Sequence, residues 1–267
     1  MAVLSAERIK ITTTKSPLWC TITIIVLGLG VAWMIGRSSS SSIQAYNDEA
    51  ASGTPDFEKF LPPTFNDAGL GVSGFGVMVL MIMAALAITS EYRFGIIRTT
   101  FQAIPSRASV LIAKAGLIGG AFGAVLSFVL MLGAVFITKA AAGSEGSTNL
   151  ALDNADAWRA VYGVPIFAFL CVALAIAVGA LLRQSAGAIA LLLLWPLLIE
   201  SLFGMFGSFG RNVTPFLPFA NADHFLSSGS STNFHWGGPW GGSLFYFAAF
   251  VLVIFGISIA VVNKRDA

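Results

Sequence analysis

The chain has 267 residues, of which 56% are hydrophobic and only 10% charged, and its mean hydropathy is +0.82. A soluble domain carries about 25% charged residues, so this composition excludes a soluble globular fold and makes the bilayer the solvent. The net charge of +2 singles out no class of partner, and its distribution along the chain is more informative than its size.

Six runs of roughly 20 apolar residues are each long enough to cross a hydrocarbon core about 30 Å thick as a helix. They are continuously apolar rather than alternating, which excludes a β-barrel. The predicted fold is an all-α polytopic membrane protein, with residues 1–267 forming a single transmembrane domain. The first span is about Pro17–Gly36, with Trp19 and Trp33 near its ends as interfacial aromatics. Arg8, Lys10 and Lys15 precede it, as in a signal peptide. The apolar run is longer than a signal core, however, and no small-residue cleavage site follows, so a retained span is expected. Arg37–Gly71 reads as a polar, acidic loop containing a serine run, Asp48, Glu49, Asp56, Glu58 and Asp67.

The second span is predicted over about Val72–Thr89 and the third over about Ala115–Thr138. The basic segment between them runs from Ser90 to Lys114. A Gly/Ser/Asn-rich loop leads to the fourth span, about Trp158–Leu182, and Arg183-Gln184-Ser185 makes a tight turn into the fifth, about Gly187–Phe206. Gly207–Gly242 is a long loop rich in Gly, Pro and Phe, and the sixth span is about Ser243–Val262. Six spans put both termini on one side. That side carries ten of the fifteen Lys and Arg residues, so the basic bias predicts cytoplasmic termini.

Within the basic segment, Ile97, Phe101 and Ile104 recur at helical spacing, with Ile96 beside them. Arg98 and Gln102 lie four apart on another face. Gly95 permits a bend and Pro105 stops a helix near the residue before it. The pattern predicts a short amphipathic helix in the interface plane. Two readings fit it: a lipid-surface anchor, and a docking helix that transmits motion from a cytoplasmic partner.

Glu91-x-Arg93-x-Gly95, then Pro105-x-Arg107, then Lys114, resembles the cytoplasmic segment of ABC-transporter permeases of the ABC-2 exporter type. Glu7-x-x-Lys10 and Lys15-Ser16-Pro17-Leu18-Trp19 resemble that family's amphipathic N-terminal elbow, and Lys264-Arg265-Asp266-Ala267 resembles a common ending of bacterial members. Ile96 stands where many members carry threonine. The resemblance implies a transmembrane permease subunit of a bacterial ATP-driven exporter in the inner membrane. It implies that Glu91, Arg93, Gly95, Arg98, Gln102, Pro105 and Arg107 form the partner-coupling segment. It further implies a separate ABC ATPase subunit, a second permease subunit as homo- or heterodimer, and a re-entrant outer hairpin between the last two spans.

No G-x-x-x-x-G-K-[ST] loop is present, and no glycine precedes any lysine. ATP and Mg are therefore expected on the partner, with no catalytic residue, cofactor, metal or nucleic acid assigned to this chain. Cys20 and Cys171 fall in different spans and read as small apolar packers. His224 and His235 alone are too few for a zinc site. Glu200 lies about 13 residues into the fifth span, roughly 20 Å along its axis. It is a candidate pathway residue, because an ionisable group at depth is costly. The alternative ends the span near Trp195-Pro196 and leaves Glu200 in a wet outer vestibule, and the nearest basic candidate for a pair is Arg211. Phe203, Phe206, Phe209, Phe216, Phe219 and Phe225, interleaved with glycines, Pro215 and Pro218, read as short helices dipping into the outer leaflet.

Gly116-x-x-x-Gly120 and Gly119-x-x-x-Gly123 are close-packing patterns, for use within the subunit or against a second one. Met78, Met81, Met83 and Met131 could provide a soft substrate lining or ordinary core. Two other functional classes remain alongside the exporter: an ion-coupled secondary transporter, which wants ionisable groups inside spans, and a non-transporting sensor or anchor subunit.

Overall fold

The computed structural model describes residues 2–52, 62–103, 106–153, 155–227, 234 and 238–264. Among these there is no strand, and six helices are long and apolar enough to cross a membrane. The protein is an integral, multi-pass, all-helical membrane protein.

A helix α1 (Ala2–Thr13) precedes the first long helix, α2 (Lys15–Ser52). Helix α3 (Phe65–Arg93) follows, then a short helix α4 (Ile96–Ala103) and the third long helix, α5 (Arg107–Gly146). Next come α6 (Ala155–Leu182) and α7 (Ser185–Gly204). Two short helices, α8 (Gly207–Val213) and α9 (Pro218–Leu226), lead to the last, α10 (Gly241–Lys264).

Several expected boundaries are corrected. The serine run is helical: α2 continues past Arg37 to Ser52, and α5 starts at Arg107 and ends at Gly146 rather than covering only Ala115–Thr138. At 1.5 Å per residue these two helices approach about 60 Å, roughly twice a hydrocarbon core. They run parallel and side by side. Gly36 lies so close to α5 that an added Cβ would sit 2.6 Å from the Ala141 Cβ. Thr138 Oγ1 donates to the Ala32 carbonyl at 3.0 Å, Ser39 is buried beside Gly146, and Asn47 Nδ2 donates to Glu145 Oε2 at 3.4 Å. Ser41 and Ser42 return their hydroxyls to the Ser38 carbonyl, which satisfies them inside the helix.

The α3 start is fixed by a reciprocal cap. Thr64 Oγ1 accepts from the Asp67 amide, and Asp67 Oδ2 accepts from the Thr64 amide. Asp56 and Glu58, expected in the preceding loop, lie outside the described residues. Three of the long helices contain π-helical stretches in their interior, Gly71–Gly76, Gly119–Leu126 and Trp195–Glu200, and α10 opens out of a fourth, Gly238–Ser243. Trp195–Glu200 contains Pro196, whose missing N–H breaks the regular ladder.

The core sits around α6, where Val161, Ala168, Cys171, Val172, Ala175 and Ile176 are fully buried. Helices α2, α7 and α10 are peripheral and turn residues such as Val26, Leu194 and Leu252 outward. Small residues allow α5 to approach α6: a Cβ on Gly119 would meet the Phe169 ring at 2.9 Å, and one on Gly123 the Phe169 backbone at 3.1 Å. Gly116 and Gly120 meet no atom within 4 Å. The two interleaved glycine patterns thus separate, one used within the bundle and one turned away from it. Cys20 and Cys171 are free, the first half-buried and the second buried.

Candidate functional site

Two regions gather the polar chemistry, one at the end of the bundle that carries the chain termini and one at the opposite end. The terminal end is organised around the α3–α4–α5 connection. Helix α3 ends when Gly95 adopts φ +71°, a left-handed backbone that favours glycine. The chain then turns into α4. Ile97 is 2% exposed and Phe101 packs against the core, while Ile96 and Gln102 are exposed. The expected amphipathic helix therefore forms, with Ile97 and Phe101 inward and Ile96 outside the buried stripe. Arg98 lies within α4. Ile104 and Pro105, expected to complete the stripe and stop the helix, lie outside the described residues.

The other coupling candidates divide into exposed and buried sets. Arg93 is exposed, with its guanidinium 5.7 Å from the centre of the exposed Phe94 ring. Arg107 stacks over Phe101 at 5.4 Å and donates from Nη1 to the Val262 carbonyl at 3.0 Å, which ties the start of α5 to the end of α10. Arg183, at φ +54°, closes α6 and sets its guanidinium 4.9 Å from the Tyr92 ring centre. These contacts tie the start of α5 to the end of α10 and the end of α3 to that of α6, and Phe101 joins α4 to the first of these ties.

Glu91 and Lys114 are corrections to a surface reading of the basic segment. Glu91 is 5% exposed, and Lys114 is 2% exposed, inside α5 rather than in a connecting loop. Lys114 Nζ donates to Glu7 Oε2 at 2.6 Å and to Glu91 Oε1 at 2.9 Å. Lys10 Nζ donates to Glu7 Oε1 at 3.1 Å and to Glu91 Oε1 at 2.8 Å. Two acids and two bases from α1, α3 and α5 so form one charge-balanced cluster, and each charge is compensated where it is desolvated. Burial works against the Lys10 charge, but the Glu91 hydrogen bond and the carboxylates of Glu91 and Glu7 raise its pKa above the usual lysine value. A cavity of about 410 Å³ opens beside the cluster.

Glu7 and Lys10 are neighbours on α1, but the rest of the cluster could not be read from sequence spacing, since Lys114 is 107 residues from Glu7 and 23 from Glu91. One signal was present: Lys114 stands alone among Val110, Leu111, Ile112, Ala113 and Ala115. A single charge inside an apolar helical run wants a buried partner.

The opposite end is built around Glu200, in the last turn of the π-helical stretch of α7. Helix α7 continues past Trp195-Pro196 to Gly204, so the helix itself does not stop at that pair. Glu200 is buried and accepts from Trp195 Nε1 at 2.8 Å, from the Phe219 amide at 3.1 Å and from the Ala220 amide at 2.7 Å. These amides open α9, where unpaired N–H groups and the helix dipole favour an anion. Arg211, expected as the nearest candidate for a charge pair, is exposed, and the partners of Glu200 are these three N–H groups.

Helix α9 packs back into the bundle. Asn221 Nδ2 donates to the Pro215 and Leu217 carbonyls, and the Phe219 ring lies 5.5 Å from that of Phe247. His224 Nδ1 meets Ser243 Oγ at 2.8 Å; His235 lies outside the described residues. The phenylalanines divide by side: Phe219 and Phe225 are buried, whereas Phe206, Phe209 and Phe216 are exposed. A cavity of about 340 Å³ lies between α3, α6, α7 and α9, with Met78, Met81, Glu200 and Asp223 in its wall. Asp223 faces this opening. Surrounding protein, and secondarily the Glu200 charge, raise its pKa to about 6. Met83 and Met131 are core residues, and Met83 also lines the cavity at the terminal end. No protein-family model, curated protein or solved structure matches the chain.

Proposed function

We propose that this chain is the membrane permease subunit of an ATP-driven exporter of the ABC-2 type, working with a separate ATPase and a second permease subunit. The observation that carries the reading is α4. It is a short helix between the second and third spans that buries Ile97 and exposes Gln102. It sits where the ends of four long helices are tied in two pairs, one by Arg107 and one by Tyr92 and Arg183. A partner that moves α4 therefore pulls on several spans at once. The basic bias supports placing this end in the cytoplasm. The opposite cavity, with its methionines and two carboxylates, is then the outward-facing part of the pathway, covered by a re-entrant hairpin of α8 and α9.

In this reading ATP is bound and hydrolysed on the partner. Closure of two ATPase subunits moves α4, and the spans repack between inward-closed and outward-open states. Reconstitution tests it. Purified chain in proteoliposomes should hydrolyse no ATP above background, and hydrolysis should appear when a P-loop subunit is co-purified. Robust turnover by the chain alone, with contaminants excluded, would sink the partner-dependent reading.

A further inference from the structure

The cavity between α3, α6, α7 and α9, about 340 Å³, has the size of a small-ligand site, about 300–1,000 Å³ in general. Its wall is mainly apolar and includes Met78, Met81, Phe167 and Phe219. The Phe167 and Phe219 rings lie 5.7 and 5.5 Å from the Phe247 ring behind them, which braces that side of the wall. Leu70 and Leu197 also line the cavity and are themselves exposed, so the chamber is open on their side.

Among the described residues, the ionisable groups in the wall are two acids, Glu200 and Asp223, with no Lys, Arg or His beside them. The two are not equivalent. Both Glu200 oxygens are engaged, by the Trp195 indole and the Phe219 and Ala220 amides. Ser73 and Ser201 return their hydroxyls to carbonyls of their own helices. The Asp223 carboxylate is exposed at the cavity and has no hydrogen bond or ion pair among the described residues. One reachable carboxylate without a counter-charge therefore faces an apolar chamber, where a lone charge is costly. The protein packed around it, and then the Glu200 charge, raise its pKa, as expected where no cation relieves it.

We infer that this chamber binds a protonated organic amine with an apolar body, its N–H groups donating to the Asp223 carboxylate and its body packed among Met78, Met81, Phe167 and Phe219. Thioether sulfurs and aromatic rings suit such a body and tolerate its charge. A hard divalent cation wants six or more oxygen ligands, and the wall offers one unengaged carboxylate. An anion, or the phosphate of a zwitterionic headgroup, would be opposed by both acids. That the amine is cargo rests on the permease reading. That it binds does not.

The test uses the full chain, without an ATPase, in phosphatidylcholine nanodiscs, with empty discs subtracted. The probes are phenylbutylamine, neutral phenylbutanol and anionic phenylbutyrate, measured by equilibrium dialysis. At pH 7.5 one amine per chain should bind about tenfold more tightly than the alcohol, and the anion more weakly than either. Asp223→Asn should bring the amine down to the affinity of the alcohol and leave the alcohol unchanged. Gly74 lines the cavity and a Cβ there meets no atom within 4 Å, so Gly74→Phe should fill space and weaken amine and alcohol together. At pH 5 the wild-type chain should bind the amine about tenfold more weakly than at pH 7.5, because Asp223 is then mostly protonated. The other titratable groups around α9 are Glu200 on α7, Arg159 on α6, which acts on His224, and His224 itself, which meets Ser243 on α10. Amine binding by Asp223→Asn should therefore be the same at both pH values. Equal affinity for amine and alcohol, an amine preference that survives Asp223→Asn or pH 5, or amine binding untouched by Gly74→Phe overturns the inference. If a variant does not fold, the probe ranking and pH dependence of the wild-type chain decide. Failure to find an ATPase partner counts against the permease reading alone and leaves this binding result standing.

Discussion

Lys114 Nζ lies 2.6 Å from Glu7 Oε2, so a lysine inside the third long helix holds the N-terminal helix against the bundle. The two residues are 107 apart in sequence, and both side chains are nearly inaccessible. Helix α1 is therefore not a loose leader. It is part of the same packed end as α3 and α5, and what moves α4 acts against this fastening.

Removing one member of a buried pair strands the other, at a cost of about 3–5 kcal/mol. Lys114→Met should lower the thermal unfolding midpoint in detergent and make α1 accessible to protease. Glu7→Gln combined with Lys114→Met should lose less than the sum of the single changes, because no lone charge remains from that pair. Additive losses, or a Lys114→Met protein as stable as wild type, would show that the contact has no energetic weight.

Glu200 gives a second stability test. Its oxygens receive two backbone amides and an indole N–H. An amide side chain keeps one acceptor oxygen and turns an NH2 group toward donors. Hydrogen bonds to charged groups contribute about 1.5–3 kcal/mol each. Glu200→Gln should thus speed hydrogen exchange at the Phe219 and Ala220 amides while leaving α6 protected. Unchanged exchange at those two amides would leave Glu200 with no part in holding α9.

Asp223 predicts a pH effect. The Asp223 side chain is exposed at the cavity, yet the protein packed around it, and then the Glu200 charge, raise its pKa to about 6 from an ordinary 3.8. An acid whose folded pKa is raised favours the folded state when protonated. Its contribution is fully present below about pH 4 and is lost as the pH rises through 6. Asp223→Asn should therefore flatten that part of the stability profile, with the variant gaining on wild type above pH 6. Parallel profiles for the two proteins would rule this out.

Much of the helical framework was legible from composition. The fourth span, expected over about Trp158–Leu182, appears as Ala155–Leu182 because it is apolar all round and central. The helix that contains the first span runs well past it, to Ser52. Arg37 and the serine run look like a loop, and only the close approach of Gly36 and Gly146 between α2 and α5 explains why they remain helical. Lys114 was placed at the end of the basic connection, outside the third span, because its partners are distant in sequence. The partners of Glu200 were hidden for a different reason: two are backbone amides, which no side-chain pattern marks.

Topology can be checked with an impermeant thiol reagent after Cys20 is replaced. Thr12→Cys and Ser41→Cys are both at exposed positions, one on α1 and the other on α2 beyond its apolar run. They should label from opposite sides of sealed vesicles, with Thr12 reached from the cytoplasmic face. Labelling of both from one side would mean that α2 does not cross.

The partner contact at α4 is the most consequential test, since the proposed function rests on it. Ile97 is buried against the bundle and Gln102 is exposed, so the two positions should behave differently. A cysteine at Gln102 should crosslink to the ATPase subunit in membranes, and one at Ile97 should not. Charge reversal at a desolvated partner contact costs about 2–5 kcal/mol. Arg98→Glu should then weaken co-purification of the ATPase or uncouple hydrolysis from transport, with the six spans intact by circular dichroism and gel filtration. A rim charge would instead change association rate and salt dependence with little loss of affinity. Crosslinking of position 102 to lipid probes alone, with unchanged co-purification of Arg98→Glu, would make α4 a surface anchor and remove the coupling role.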